Sequence, residues 1–294
     1  MNPKFITHLS GVIAGATCHP FVVRNVDAVG GGSINAAYRL RGVDGGCYFV
    51  KLNAAQHHAM FAAEAAALDA IAATNTLRVP RPIVQGVSDK HSYLVLEYLQ
   101  LNSRGNAQLL GEQLAALHRW TAPKFGFPAD NFIGTTPQPN KWQAGWIDFW
   151  REQRLGFQLQ LAAQNGCTAQ LRHLGGRLLD ALPEFFAGYT PQPSLLHGDL
   201  WSGNHAFLGD GTPTIFDPAS YYGDRECDVA MTELFGGYPE NFYTAYRAAF
   251  PLDAGYPTRR DLYNLYHILN HANLFGGGYV GQAEQMVRGL LAAC

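Results

Sequence analysis

Charge is scarce in this chain. Only 15% of its 294 residues are Asp, Glu, Lys or Arg, and 21 basic residues nearly balance 23 acidic ones, for a formal charge of -2. A nucleic-acid partner calls for a basic stripe or tail. None is present, so no nucleic acid is expected. Long apolar runs are missing as well: no stretch approaches the ~18 residues of a membrane span, and no membrane partner is expected. The opening segment is interrupted by His8, Ser10, Gly11 and Gly15 and does not read as a signal peptide. Cysteine is sparse and patternless. Cys18, Cys47, Cys167, Cys227 and Cys294 are odd in number, scattered, and form no C-x-x-C pair. Neither a disulfide framework nor a zinc ribbon is indicated, and a reducing, cytoplasmic setting is the expectation. Repeats and low-complexity segments are absent. Apolar residues are abundant, at 47%, which excludes a disordered chain and supplies a sizeable core. The length allows one large domain or two lobes.

The first third reads as strands around one helix. Cys47-Tyr48-Phe49-Val50-Lys51-Leu52 is β-rich and alternates, which places Cys47, Phe49 and Lys51 on one face. Residues 54–73 are alanine-rich and helical, with Phe61, Leu68 and Ile71 near helical spacing. Residues 78–82 are stiff and extended, and 92–96 form a strand running into Glu97-Tyr98-Leu99. The texture changes at Asn102-Ser103-Arg104-Gly105-Asn106. Beyond it helices are predicted over 107–120, 142–165, 168–182 and several stretches from 224 onward. A hairpin is expected where 206–208 and 214–216 flank Gly209-Asp210-Gly211-Thr212. The fold expectation is α+β in two lobes: a small β-rich N-lobe over 1–101 and a larger helical C-lobe over 102–294.

The strongest local signal is His197-Gly198-Asp199-Leu200-Trp201-Ser202-Gly203-Asn204. It fits H-x-D-L-x-x-x-N, the catalytic loop of kinase-like phosphotransferases. Such chemistry needs one carboxylate to accept the proton of an attacking hydroxyl, an amide oxygen to reach a metal, and a second carboxylate to hold that metal on the phosphates. Asp199, Asn204 and Asp217 supply these in order, Asp217 closing Ile215-Phe216-Asp217. Singly, each reads better as an ordinary loop or turn residue; the ordered set points to catalysis. His197 is expected to brace the loop. Upstream, Gly30-Gly31-Gly32-Ser33-Ile34-Asn35 precedes a strand at 36–40 and reads either as a phosphate-cradling loop or as a plain hairpin turn. Lys51 on its strand and Glu64 on the alanine-rich helix match the pair that positions ATP phosphates, the alternative being a surface lysine and a solvated glutamate. Backbone groups at Glu97, Tyr98 and Leu99 are candidates to hydrogen-bond an adenine edge. Asp228, near a helix start, is expected to brace the catalytic loop.

Together these segments resemble the fructosamine/ketosamine-3-kinase family, a branch of the aminoglycoside-phosphotransferase-like kinases with a protein-kinase-like fold. The resemblance runs over residues 29–279. Besides the motifs above it rests on Phe216-Asp217-Pro218-Ala219, Tyr221-Tyr222-Gly223-Asp224-Arg225-Glu226, Leu234-Phe235-Gly236-Gly237 and Leu269-Asn270-His271-Ala272-Asn273-Leu274-Phe275-Gly276-Gly277. It implies ATP-dependent transfer to the 3-hydroxyl of a ketosamine or glycated amine or protein, with Mg²⁺, and decay of the phosphorylated product to free the amine. Asp199 is then the proton acceptor, Asn204 and Asp217 the magnesium ligands, and Gly31, Gly32, Ser33, Ile34, Asn35, Lys51, Glu64 and the 97–99 backbone the nucleotide site. Family members often carry cysteine in the glycine loop where this chain has Ser33, so a cysteine redox switch does not carry over. The glycine loop lacks the G-x-G-x-x-G spacing of protein kinases, and the 197–204 loop reads His-Gly-Asp, not His-Arg-Asp, with no A-P-E following, unlike kinases switched by activation-loop phosphorylation.

Three residues are candidates for the acceptor side. Trp201 could stack on a sugar face or anchor the loop. Asn270 and His271 could line a polar pocket or serve as helix-end hydrogen-bonders. His267 and His271 share a helix face, but the zinc-hydrolase form needs Glu where Ile268 stands. Two other functions remain open: a same-fold kinase for another small alcohol such as an aminoglycoside, choline or sugar, and a nucleotide-binding scaffold without turnover. Few clustered carboxylates speak against aminoglycosides, and the intact Lys51, Glu64, Asp199, Asn204 and Asp217 speak against a scaffold.

Overall fold

A computed structural model describes residues 1–30 and 34–293. The chain divides into two compact units, Met1–Asn106 with Ala206–Asp217, and Ala107–His205 with Pro218–Cys294.

The first unit is built on a five-stranded antiparallel sheet. Its strands are β1 (Val23–Val29), β2 (Ala36–Gly42), β3 (Cys47–Ala54), β4 (Pro82–Ser88) and β5 (His91–Glu97), in the order β1-β2-β3-β5-β4. Two helices accompany it, where the sequence predicts one. The additional helix is α1 (Pro3–Thr17), started by Asn2, whose side chain accepts a hydrogen bond from the Phe5 amide at 2.8 Å, with proline in the first turn. Phe5, Leu9 and Ile13 stand four apart, and all three are buried against Leu40, Val50, Leu52, Tyr93 and Val95 of the sheet. The stripe is one residue wide and the exposed face carries Gly11 and Gly15, so periodicity and propensity hide this helix. The expected helix is α2 (His58–Ala73), preceded by a 3₁₀ turn at Ala55–His57. Alternation along β3 sends Val50 and Leu52 towards α1 and leaves Lys51 on the opposite face, where Glu64 of α2 meets it.

The hairpin at 206–217, expected in the second lobe from chain order, groups with the first unit. Backbone pairing explains this. Asn102 and Phe207 exchange two hydrogen bonds at 2.7 and 2.9 Å, and the Ile215 amide donates to the Arg78 carbonyl at 3.1 Å. The stiff 78–82 segment and the polar 102–106 link therefore share one small β-structure with the hairpin.

The second unit is helical: α3 (Ala107–Leu117), α4 (Trp146–Trp150), α5 (Gly156–Gln164), α6 (Ala169–Ala181), α7 (Glu226–Leu234), α8 (Glu240–Ala249), α9 (Tyr256–Phe275) and α10 (Gly278–Ala293). The single helix predicted over 142–165 begins only at Trp146 and is interrupted by a π-helical turn, Arg151–Leu155. The Gly156 amide donates to the Arg151 carbonyl five residues back, and a Cβ at Gly156 would stand 2.1 Å from that oxygen. Only glycine admits so close a carbonyl. The π turn aims Arg154 inward, where its guanidinium donates to the Pro139 carbonyl and to Asn140 Oδ1, both at 2.6 Å, and lies 3.9 Å from the Tyr221 ring centre. A short hairpin, Asn131–Ile133 with Thr136–Gln138, was not predicted. Its three-residue strands are too short to show a period. No helix among the described residues is long and apolar enough to cross a membrane.

Because α1 covers the sheet through a few fully buried side chains, Leu9→Ala is expected to destabilise the first unit by about 2–5 kcal/mol. A urea melt of the variant against wild type checks this; an unchanged midpoint would mean that α1 is not part of the core.

Candidate active site

In the first unit the sheet holds a cation between two carboxylates. Lys51 Nζ donates to Glu64 Oε1 at 2.6 Å and to Asp217 Oδ1 at 2.5 Å. The Lys51 side chain is 7% exposed, whereas that of Asp217 is 47% exposed. Burial works against the Lys51 charge, yet Asp217 and Glu64 together hold its ammonium above its ordinary value. Burial pushes the Glu64 carboxyl up to about 7, against the pull of Lys51. Asp217 ends the 206–217 hairpin with φ +59°, a left-handed conformation that Asp tolerates better than most residues. Lys51, Glu64 and Asp217 are thus brought together, and the solvated-pair alternative for Lys51 and Glu64 does not hold.

Other first-unit candidates are placed as follows. Asn35 Oδ1 accepts from Asn53 Nδ2 at 2.7 Å, and Ile34 is exposed. Gly31, Gly32 and Ser33 lie outside the described residues. The Glu97 side chain is committed to Arg78, at 2.5 Å, and to the Arg81 amide. The Tyr98 hydroxyl accepts from Arg39. β5 ends at Glu97, and among the described residues no backbone–backbone hydrogen bond involves Tyr98 or Leu99. Their peptide groups are the ones in this stretch not spent on the sheet.

In the second unit the loop at 197–204 is fixed from beneath by Asp228 of α7. One carboxylate oxygen accepts the His197 amide at 2.7 Å and the other accepts the Gly198 amide at 2.8 Å. Burial opposes the Asp228 charge, but His118, bonded to it at 3.2 Å, and these amides hold its carboxyl below the usual range. The bracing role expected for Asp228 is what the geometry shows. Gly198 has φ +84°, and a Cβ there would stand 2.2 Å from the Ala219 carbonyl, so the turn requires glycine. His197 is fully buried and its Nδ1 accepts the Asp199 amide at 3.2 Å, a brace as expected. Asn204 Nδ2 donates to the Asp199 carbonyl at 2.8 Å and to its carboxylate at 3.3 Å. The Asn204 amide is thereby turned so that its oxygen is the atom left for a cation.

Trp201 is 38% exposed, its indole lying over Gly203, and its carbonyl accepts from the Tyr238 hydroxyl. The ring therefore packs on its own loop and keeps one side in solvent. Asn270 is buried and bonded to Gln158 and to the Ile133 carbonyl. His271 is half-buried, donates through Nδ1 to the His267 carbonyl, and contacts the rings of Phe235, Phe275 and Tyr279. The sequence assigns no role to His118 or Gln138, and Asn131 stands out only within the Asn131-Phe132-Ile133-Gly134 motif; Asn131 and Gln138 donate to the Ser220 and Ala219 carbonyls just after Asp217. A histidine or amide in a plain helical or loop context carries no local signal; only the packing selects it.

Comparison with known proteins now bears on the chain as a whole. The fructosamine kinase family profile matches residues 5–293. A protein named as a probable ketoamine kinase from Synechocystis is 51% identical, over 94% of this chain and 93% of its own length. A chloroplastic protein-ribulosamine 3-kinase from Arabidopsis thaliana is 44% identical, over 90% and 82%. Among solved structures, a candidate fructosamine-3-kinase from Haemophilus somnus superposes with TM-score 0.87 at 31% identity, covering 96% of each chain. An aminoglycoside phosphotransferase at 16% identity and TM-score 0.61, covering 97% of this chain and 98% of its own, shares the fold. The α+β, protein-kinase-like fold is the one predicted.

The Asp228 charge gives a pH signature. Its folded-state affinity for protons is lowered, so its contribution is fully present above the ordinary carboxylate value of ~3.9 and is lost as pH falls through the lower folded value. Asp228→Asn, which sets an amide against two donors, is expected to lower stability by about 1–3 kcal/mol per unmade bond. In urea melts the gap to wild type should stay constant down to about pH 5 and narrow below about pH 4. A gap that widens on acidification would contradict the assignment.

Proposed function

The chain belongs to the fructosamine kinase family, and from that membership we propose an ATP-dependent kinase acting on the 3-hydroxyl of ketosamines, sugar-derived adducts on an amine or a protein amine. The observation that carries the reading is the pairing of one buried lysine with two carboxylates, Glu64 at 2.6 Å and Asp217 at 2.5 Å. A phosphate-positioning lysine is held by such a helix glutamate in this fold class. Phosphoryl transfer asks for positioning and charge neutralisation more than covalent help.

Lys51, fixed by Glu64, binds phosphate oxygens of ATP. The glycine segment at 30–35 supplies backbone amides to the phosphates, and the peptide groups of Tyr98 and Leu99, next to Glu97, meet the adenine edge. Asp217 and the Asn204 amide oxygen are the hard oxygen donors that suit Mg²⁺. When bound, the ion neutralises charge on the phosphates. Asp199 orients the acceptor hydroxyl and takes its proton. The sugar oxygen forms a bond to the γ-phosphorus, the bond to the β–γ bridging oxygen breaks, and ADP leaves with that electron pair. Trp201 and His271 contact the sugar on the acceptor side, with Asn270 holding the adjoining helix. The phosphorylated ketosamine then decays and releases its amine, which makes deglycation the outcome, in the cytoplasm.

ATP consumption with Mg²⁺ and erythrulose-, ribulose- and fructose-derived lysine tests this directly. Turnover is expected with at least one sugar, and Asp199→Asn should lower kcat by about 10²–10⁴-fold while ATP still binds. Near-wild-type turnover in that variant would remove Asp199 as the base. ATP binding without ketosamine turnover would shift the acceptor to another small alcohol. Trp201→Ala is expected to raise KM for the ketosamine and leave KM for ATP unchanged; equal kinetics for both substrates would make Trp201 a loop anchor only.

A further inference from the structure

Beneath the 197–204 loop lies a chain of hydrogen bonds that continues past Asp228 into the core. His118 Nε2 is 3.2 Å from Asp228 Oδ2, and His118 Nδ1 is 2.8 Å from the Tyr246 hydroxyl. The Tyr246 hydroxyl in turn accepts from Arg225 at 3.1 Å. His118 and Asp228 are at most 1% exposed, as is Tyr246. Arg225 is anchored by two further bonds, to the Phe250 carbonyl at 3.0 Å and the Pro251 carbonyl at 2.5 Å, with its guanidinium 3.7 Å from the Phe250 ring centre.

The donors and acceptors in this chain can be satisfied in one order. Arginine only donates, so the Tyr246 oxygen accepts from Arg225 and its own proton must go elsewhere. The partner within reach is His118 Nδ1. That nitrogen is then an acceptor, so the His118 proton sits on Nε2 and is donated to Asp228. An ionised Asp228 accepts it along with the His197 and Gly198 amides. A doubly protonated His118 would put a second cation beside Arg225 and strand the Tyr246 proton. An Nδ1–H tautomer would turn a lone pair on the Asp228 carboxylate.

We propose that Tyr246, oriented by Arg225, is a positioning residue for phosphoryl transfer: it fixes His118 as the Nε2–H tautomer, and His118 thereby holds Asp228 in the rotamer that grips the His197 and Gly198 amides. The Asp199 carboxylate follows directly on those two peptides, so its placement depends on a hydroxyl two side chains away. The kinetic consequence rests on the function proposed above; the tautomer and the loop geometry do not.

Tyr246→Phe removes the hydroxyl and keeps the ring. The tautomer is read by ¹⁵N-histidine NMR, with His118 among the 11 histidines assigned by its disappearance in His118→Gln. Wild type should show a protonated Nε2 and an unprotonated Nδ1. The variant should lose that single form, and the Gly198 amide signal should move with it. In the ketosamine assay kcat should fall about 5- to 20-fold, with KM for ATP and acceptor within about twofold, as expected for one lost buried hydrogen bond that sets geometry and not binding. His118→Gln should make the further change Tyr246→Phe nearly silent. A folded Tyr246→Phe protein with an unchanged His118 signature, or with unchanged kcat, would overturn the proposal. Should the variant not fold, an Nδ1–H or imidazolium His118 in wild type overturns it equally. A wild type that turns over no ketosamine but keeps the predicted NMR signature would instead count against the proposed acceptor.

Discussion

A charged carboxylate buried at the base of the 197–204 loop governs the path of the chain in the second unit. Asp228 is 1% exposed and is charged only because every nearby donor points at it. Two of those donors are the successive amides of His197 and Gly198, and the third is His118. The loop cannot adopt another path without leaving a buried charge unpaired. The left-handed Gly198, the buried His197 and the Asn204 bonds to Asp199 are consequences of that constraint, since each trims the loop to fit a fixed anchor.

The first unit solves the opposite problem, how to keep a cation in an apolar sheet. Strand alternation takes Val50 and Leu52 to the α1 side and Lys51 to the other. An unpaired ammonium there would be strongly disfavoured, and Glu64 and Asp217 supply the counter-charge from a helix and a hairpin far apart in sequence. The hairpin reaches this position through its bonds to Arg78 and Asn102. Of the two carboxylates, Glu64 is buried with the lysine and Asp217 keeps its side chain 47% exposed.

Much of this was legible in the sequence because the chemistry fixes spacing. Asp199 and Asn204 lie on one tight loop, and Lys51 and Glu64 lie on a strand and the helix that follows it, so order alone suggests their roles. The helix α1 was not legible, because its buried stripe is a single file of Phe5, Leu9 and Ile13 with glycines behind it. The π turn at Arg151–Leu155 was not legible either, because it depends on a carbonyl passing over Gly156. Nor could sequence order assign the 206–217 hairpin to the first unit, since its partners, Arg78 and Asn102, are over a hundred residues away.

The sequence by itself determined the class of protein, a kinase of the fructosamine kinase family, and singled out an ordered set of candidates, Lys51, Glu64, Asp199, Asn204 and Asp217, on segments whose local propensities already make strand, helix and turn. It could do so because each of those residues acts through its own type and its near neighbours. Only the tertiary structure decided what holds the set in place. The charge on Lys51 is settled by a carboxylate 166 positions away, and the path of the 197–204 loop by Asp228, His118 and Tyr246 from three different helices or their ends. A hydrogen bond is specified by distance and direction, and those are properties of the packed chain, not of any stretch of it.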